Sequence, residues 1–174
     1  MANLDTADLN ALTAAQFGAL ATSLIAALST DQVVNLESLD VQALSAAQVA
    51  AFTTANIAAM ASTDLGYFTA AQVAALTTAQ VHAITTDDLA VFTGATLAAL
   101  SSAHIAALGT DQLAALGSDQ LRVLSAEQLS GLTTAQIASL ATQDLNALQA
   151  SQFQALSTRQ IAALGTDQVV ALES

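Results

Sequence analysis

The most constraining feature of the chain is a repeat of eight residues that runs through all of it. Large apolar residues recur at every eighth position from Leu4 to Leu172, at 22 positions without exception. A second apolar column runs from Leu9 to Val169 and covers 21 positions, again without exception. The consensus octad is [ST]-[TSA]-[AD]-[QD]-[ILV]-A-A-L, as in SSAHIAAL at residues 101–108. We therefore expect a tandem array in which every octad adopts the same structure.

The spacing of the two columns predicts many short helices and excludes one long helix. Within an octad the two apolar residues are three positions apart, as Ile105 and Leu108 are, so they share one helix face. In a continuous helix, an apolar stripe with an eight-residue period would rotate by about 80° per repeat. The chain must therefore change direction once per octad, in the polar half of the repeat.

The polar half of the octad carries the residues that begin and end helices. Ser or Thr at its first position is a preferred N-cap residue. Eleven of the 14 acidic residues follow that cap by two or three positions, where an exposed carboxylate interacts favourably with the helix dipole. Gly109, Gly117 and Gly165 directly follow a leucine, where a left-handed residue is expected to end the preceding helix.

We predict an all-α solenoid of short helices, one per octad, stacked as a superhelix that forms a single domain over residues 1–174. A β-solenoid is the alternative, because the second column is β-branched at 11 of its 21 positions. The Ala-Ala pairs and the Leu and Gln content favour helix. Residues 37–52 resemble residues 61–76, which suggests three octads per coil and leaves the number open.

A longer repeat is superimposed on the octads. Residues 9–38 recur as residues 145–174, with 22 of 30 positions identical across an offset of seventeen octads. The chain also lacks a polar capping repeat at either end, which solenoids normally need for solubility. We expect a segment of a longer array, or a chain whose ends associate with each other or with other copies.

Composition excludes several classes of function. The net charge is −12, with Arg122 and Arg159 as the basic residues other than two histidines, so nucleic acid would be repelled. No apolar run is longer than five residues, such as Leu24 to Leu28, so we expect no membrane insertion. The sequence has no cysteine for disulfides or thiolate metal sites, and its first residues, MANLDTADL, do not resemble a secretory signal peptide.

Two histidines could take part in chemistry. Beside Ser101 or Ser102, His82 or His104 would resemble part of a hydrolase site, but both replace residues that are Ala or Gln in other octads. We interpret them as drift at surface positions. We predict no catalytic residue, no cofactor-binding residue and no enzyme activity.

The remaining candidates are interpreted as structural. Asp87 and Asp88 form the one adjacent acidic pair, and we expect both carboxylates to be solvated rather than to bind a metal ion. We expect the five phenylalanines in the core and Tyr67 partly exposed. The Ser and Thr columns would display a ladder of hydroxyl groups in a solenoid, but we interpret these hydroxyls as helix caps.

The octads resemble those of a known class of repeat proteins. TTAQVHAI at residues 77–84, TTAQIASL at 133–140 and STRQIAAL at 157–164 look like the arrays of large secreted or surface proteins of proteobacteria. The resemblance implies an extracellular, adhesin-like or spacer role. We expect a non-enzymatic structural protein that associates head to tail, with a cell-surface or polysaccharide partner. The alternative is a solenoid that binds a peptide or polysaccharide, and ice or mineral binding is less favoured.

Overall fold

A computed structural model describes residues 5–172, in which each octad forms one short helix and no strand occurs. The predicted all-α solenoid is confirmed. The helices are α1 Thr6–Asn10, α2 Ala14–Gly18, α3 Thr22–Ile25, α4 Thr30–Val34, α5 Ser38–Ala43, α6 Ala46–Ala51, α7 Thr54–Ala59, α8 Ser62–Gly66, α9 Ala70–Ala74, α10 Thr78–Ala83, α11 Thr86–Leu89, α12 Gly94–Ala98, α13 Ser102–Ala107, α14 Thr110–Ala115, α15 Ser118–Arg122, α16 Ala126–Ser130, α17 Thr134–Ser139, α18 Thr142–Ala147, α19 Ala150–Gln154, α20 Thr158–Ala162 and α21 Thr166–Leu172. No helix within these residues is long and apolar enough to cross a membrane.

Most helices begin with a reciprocal pair of hydrogen bonds between the N-cap residue and the third helical residue. In α10 the hydroxyl of Thr77 accepts from the backbone N–H of Gln80 at 3.2 Å. The side-chain Oε1 of Gln80 in turn accepts from the backbone N–H of Thr77 at 2.7 Å. This capping box satisfies two amides that the short helix would otherwise leave unpaired. The predicted role of Ser and Thr as N-caps is confirmed.

The turn between helices consists of extended residues and does not require glycine. Ile84 ends α10 with φ −64° and ψ 133°, and Thr85 begins the next helix with φ −73° and ψ 164°. Any residue adopts these angles. The prediction that Gly109, Gly117 and Gly165 end helices in the left-handed conformation is wrong, because no glycine in residues 5–172 has a positive φ. Gly109 and Gly117 are N-caps with φ of −67° and −72°.

Three octads make one coil of the solenoid. Each helix packs against the third helix along the chain, as α7 packs against α10 and α10 against α13. The similarity of residues 37–52 and 61–76 suggests a coil of this length, and the structure confirms it. The helices therefore stand in three rows: the first row starts with α1 and continues with α4 and α7, the second starts with α2, and the third starts with α3.

The two apolar columns fill the interior of the coils. Residues of the second column from Leu9 to Leu145 are at most 1% exposed, and those of the first column from Leu36 to Leu156 are at most 8% exposed. Four of the five phenylalanines are buried and Phe153 is partly buried, as expected. Leu4 lies outside the described residues. Each coil thus contributes six large side chains to one continuous core.

Helices of the same row approach closely where small residues face each other. A Cβ atom added to Gly131, at the end of α16, would lie 2.7 Å from the carbonyl oxygen of Ser102 in α13, one coil earlier. A Cβ atom added to Gly66 would lie 3.6 Å from Cγ2 of Val91, an ordinary van der Waals distance, so alanine would fit there. The close approach of the two helices therefore requires glycine at position 131 but not at position 66.

Replacing Leu100 by Asp should unfold the array locally. Leu100 is buried, so the change removes its packing and buries a carboxylate, at a cost of at least about 3 kcal/mol. Because each coil contacts only its neighbours, we expect a broadened melting transition and faster hydrogen exchange around α12. Ala95→Asp is the control, since Ala95 is exposed at the second helical position. One sharp transition for Leu100→Asp, with helix lost everywhere at once, would contradict a solenoid.

Candidate functional site

From α5 onward, the polar side chain at the third position of nearly every helix is buried. Within residues 5–172, every buried polar or charged side chain belongs to this column. The members are Asp40, Gln48, Asn56, Asp64, Gln72, Gln80, Asp88, Thr96, His104, Gln112, Gln128, Gln136, Asp144, Gln152, Gln160 and Gln168. The column lies where one coil rests on the previous one, so it is the candidate site that governs stacking.

Ten of the 12 glutamines of the column join their own helix to the coil before it. In α9, Oε1 of Gln72 accepts from the backbone N–H of Thr69 at 2.7 Å. Its Nε2 donates to the carbonyl oxygens of Val41 at 3.0 Å and Leu44 at 2.9 Å. These two carbonyls lie at the end of α5, in the turn, or corner, between α5 and α6. This corner lies one coil before the corner between α8 and α9. We call this arrangement the glutamine staple.

The glutamine staple recurs along the solenoid. Ten glutamines donate to the carbonyls that precede them by 31 and 28 residues, namely Gln48, Gln72, Gln80, Gln112, Gln120, Gln128, Gln136, Gln152, Gln160 and Gln168. Each satisfied hydrogen bond contributes about 0.5–1.5 kcal/mol net, whereas each buried group left unpaired costs about 1–3 kcal/mol. The staples therefore stabilise both the helix ends and the contact between coils.

Three aspartates in the column use a different partner. The hydroxyl of Ser38 donates to Asp64 at 3.2 Å, that of Ser62 donates to Asp88 at 2.5 Å, and Ser118 donates to Asp144 at 2.7 Å. In each pair the serine is the first residue of the helix one coil earlier. A carboxylate has no N–H to donate to the corner carbonyls, so it accepts a hydroxyl hydrogen instead.

Burial changes the acidity of two of these aspartates. It raises the pKa of the Asp64 carboxyl, and the hydrogen bond from Ser38 partly opposes the shift. Burial also raises the pKa of Asp40, the nearby charge of Glu37 raises it further, and a backbone hydrogen bond opposes both. Their ionised forms are therefore less favoured in the folded chain than in water.

The prediction that Asp87 and Asp88 are both solvated is wrong for Asp88. Asp87 is exposed at the second helical position, but Asp88 is only 4% exposed and accepts hydrogen bonds from Thr85 and Ser62. The second position faces solvent, whereas the third faces the previous coil. No group of three or more histidine and acidic residues within residues 5–172 is arranged to hold a metal ion.

The prediction that both histidines occupy surface positions is wrong for His104. Its side chain is 8% exposed, and Nδ1 accepts from the backbone N–H of Ser101 at 3.2 Å. The hydroxyl of Ser101 accepts from the backbone N–H of His104, so the two residues form a capping box. His82 is exposed and bonds to the carbonyl of Ala107, and Ser102 lies against Gly131. Of the two histidines and two serines, the structure therefore brings together only Ser101 and His104.

The hydroxyl columns divide into two kinds. N-cap hydroxyls accept from the N–H of the third helical residue, as Thr13 and Ser157 do, which agrees with their interpretation as caps. Threonines at the first helical position are exposed along the second row of helices, at Thr86, Thr110, Thr134 and Thr158. These threonines form the hydroxyl ladder that is open to solvent.

The sequence analysis did not identify the buried polar column, although its composition held a signal. From position 8 to position 168 the column contains Gln at 12 of 21 positions and no Lys, Arg or Glu. A solvated first-turn position would accept those long charged residues freely. Their absence, with the excess of amides, is typical of buried groups that need both a donor and an acceptor.

Replacing Gln72 by Ala should destabilise the array by about 2–4 kcal/mol, because three backbone groups lose their partner and two of them are buried. The measurement is urea denaturation followed by circular dichroism. Gln16→Ala is the matched control: Gln16 caps α2 in the same way but lies in the first coil, and its cap is exposed. We expect a loss of about 1 kcal/mol or less there. Equal losses for the two variants would contradict a role in stacking.

Comparison with known proteins finds one family. A family model described as ALTTAQ repeat matches residues 1–38, 33–66, 57–94, 94–122, 113–142 and 137–174, so the matches span the whole chain. The hexapeptide ALTTAQ itself occurs at residues 75–80, which include the corner before α10 and the staple residue Gln80. No curated protein matches the chain.

Proposed function

Because the chain belongs to the ALTTAQ repeat family, we propose that it is a non-enzymatic structural unit whose coils stack into a rod and whose terminal coils bind those of other copies. The single observation that supports this most is the pair of uncovered coil faces at the two ends of the described residues. Each face carries the chemistry that the inner coils use against one another.

The first coil exposes the groups that would rest on a preceding coil. Leu12, Leu20 and Leu28 are only partly buried, whereas their equivalents from Leu36 onwards are buried. Gln16 is exposed and keeps its capping bonds to Thr13, but its Nε2 reaches no earlier corner. This face therefore offers apolar side chains and an amide donor.

The last coil exposes the complementary groups. Ile161 is 42% exposed and Val169 is 41% exposed, although residues of their column are buried in the inner coils. The backbone carbonyls of Phe153 and Leu156 occupy the positions that accept a glutamine staple elsewhere in the solenoid. This face therefore offers apolar side chains and carbonyl acceptors.

The two faces fit because they continue an interface that the chain already contains. A second copy placed with its first coil on this last coil would repeat the contact between any two inner coils. Further repeats of one longer chain would cover the faces in the same way. Such head-to-tail contacts are heterologous, so they extend into filaments unless the geometry closes a ring.

Electrostatics favours growth at the ends over contact at the sides. The chain carries a net charge of −12, with acids such as Asp31, Asp111, Asp119 and Glu127 exposed along the rod. Copies therefore repel each other over distances of about one Debye length, and added salt screens this repulsion. We expect association to increase with ionic strength.

The location and partner belong to the same proposal. The rod would lie outside the cell, as a spacer or adhesin-like surface with a cell-surface or polysaccharide partner. This part of the proposal is supported by the resemblance of its octads to those of large secreted proteobacterial arrays. A rod of uniform coils also suits a spacer, because its length grows in proportion to its number of repeats.

Light scattering of the full chain tests the assembly. We expect the average mass to rise with protein concentration and with salt, and to stay close to that of one chain for Ile161→Lys, which places a charge on the last coil face. Val123→Lys is the matched control, because Val123 is 45% exposed on the side of the rod. It should associate as the parent does.

Two results would overturn the proposal. The parent could remain monomeric at high protein and salt concentration, which would favour the solenoid that binds a peptide or polysaccharide. Alternatively, the Ile161 and Val123 variants could lose association equally, which would show that the sides and not the ends make the contact.

A further inference from the structure

Both histidines of the chain connect the same two stacked helices. His104 in α13 accepts from Ser101 through Nδ1, and the backbone of Leu76, in the corner before α10, favours a proton on its ring and so raises its pKa. His82 in α10 bonds through Nδ1 to the carbonyl of Ala107 in α13, at 2.9 Å. The junction between α10 and α13 therefore contains all the imidazole groups of the sequence.

His104 takes the place of a glutamine staple. Its Nδ1 accepts as Oε1 of glutamine does, and the backbone of Leu76, which raises the pKa of the ring, is the corner position to which Nε2 of a glutamine donates in other coils. Only the neutral ring provides one acceptor and one donor. A protonated ring has two N–H groups, so Nδ1–H would face the backbone N–H of Ser101. The bond to Ser101 would be lost in a buried position.

The surroundings provide little to stabilise a charged His104. α13 packs against α10 and α16, whose titratable residues are His82 and Glu127, and Asp111 lies on the following helix. All three side chains are exposed to solvent, which weakens their interaction with the ring. Burial lowers the pKa of His104, and the hydrogen bond to Leu76 partly opposes this shift.

We propose that the junction between α10 and α13 is a pH-sensitive joint, which opens when His104 is protonated while the junctions held by glutamine staples do not respond. His82 does not act in this way, because a ring that donates through Nδ1 to a carbonyl keeps that bond when it is protonated. The joint works within a single chain, so it does not depend on end-to-end association.

The direction of the effect follows from the lowered pKa of His104. Above the usual value of 6.5, the ring is neutral in both the folded and the unfolded chain, and the junction has its full stability. As the pH falls through 6.5, the unfolded chain binds the proton first, and stability is lost until the lower pKa of the folded state is reached. Stability is therefore compared at about pH 7.5 and about pH 5.5, which lie on either side of 6.5, and a variant without His104 separates its contribution from that of other titratable groups.

The experiment compares the parent with His104→Gln and His82→Gln at low protein concentration. Hydrogen exchange, corrected for the intrinsic effect of pH, measures the opening of each helix. For the parent and for His82→Gln we expect opening of α10 and α13 to increase by up to about tenfold at the lower pH. For His104→Gln, which restores the usual residue of the column, we expect no increase.

An equal pH response in His104→Gln, or an increase spread evenly over all helices, would overturn the proposal. NMR titration of the two imidazoles gives a second test that needs no variant. We expect the midpoint for His104 to lie below 6.5, the usual value for histidine. A midpoint for His104 at or above 6.5, with the fold intact, would also overturn the proposal.

Discussion

The structure depends on a side-chain amide that accepts a hydrogen bond from its own helix and donates to the coil before it. A helix of only one or two turns is unstable alone in water. In α9, Gln72 caps the helix through Oε1 and binds the corner carbonyls of Val41 and Leu44 through Nε2. One residue thus couples the start of a helix to its stacking, so a helix is stable only while its neighbouring coil is present.

Where another residue replaces glutamine in the column, its hydrogen bonds show which part of this coupling it keeps. His104 keeps both the acceptor and the donor. Asn56 is shorter and donates to the carbonyl of Leu28 alone. Asp64 keeps only acceptors and depends on the hydroxyl of Ser38, whereas Thr96 bonds only within its own helix end, to Thr93. The junctions between coils therefore differ in strength, although the backbone repeats throughout.

The helices could be predicted because their signals are local. The two apolar columns, the N-cap hydroxyls and the eight-residue period together require a short helix in each octad. The burial of Asp88 and His104 could not be derived in this way, because it depends on the contact between octads of successive coils. The error at Gly109 has another cause. Many helices end at a residue in the left-handed conformation. Here two residues in the extended conformation, Leu108 and Gly109, make the turn instead.

The three-octad coil determines what a duplicated segment displays. Residues 9–38 and 145–174 are related by an offset of seventeen octads, and seventeen is not a multiple of three. Accordingly α2 stands in the second row of helices, whereas its counterpart α19 stands in the first. The same sequence is thus turned by one third of a revolution about the solenoid axis. Duplication at an offset that is not a multiple of three octads lets an array present an existing surface in a new direction without altering its core.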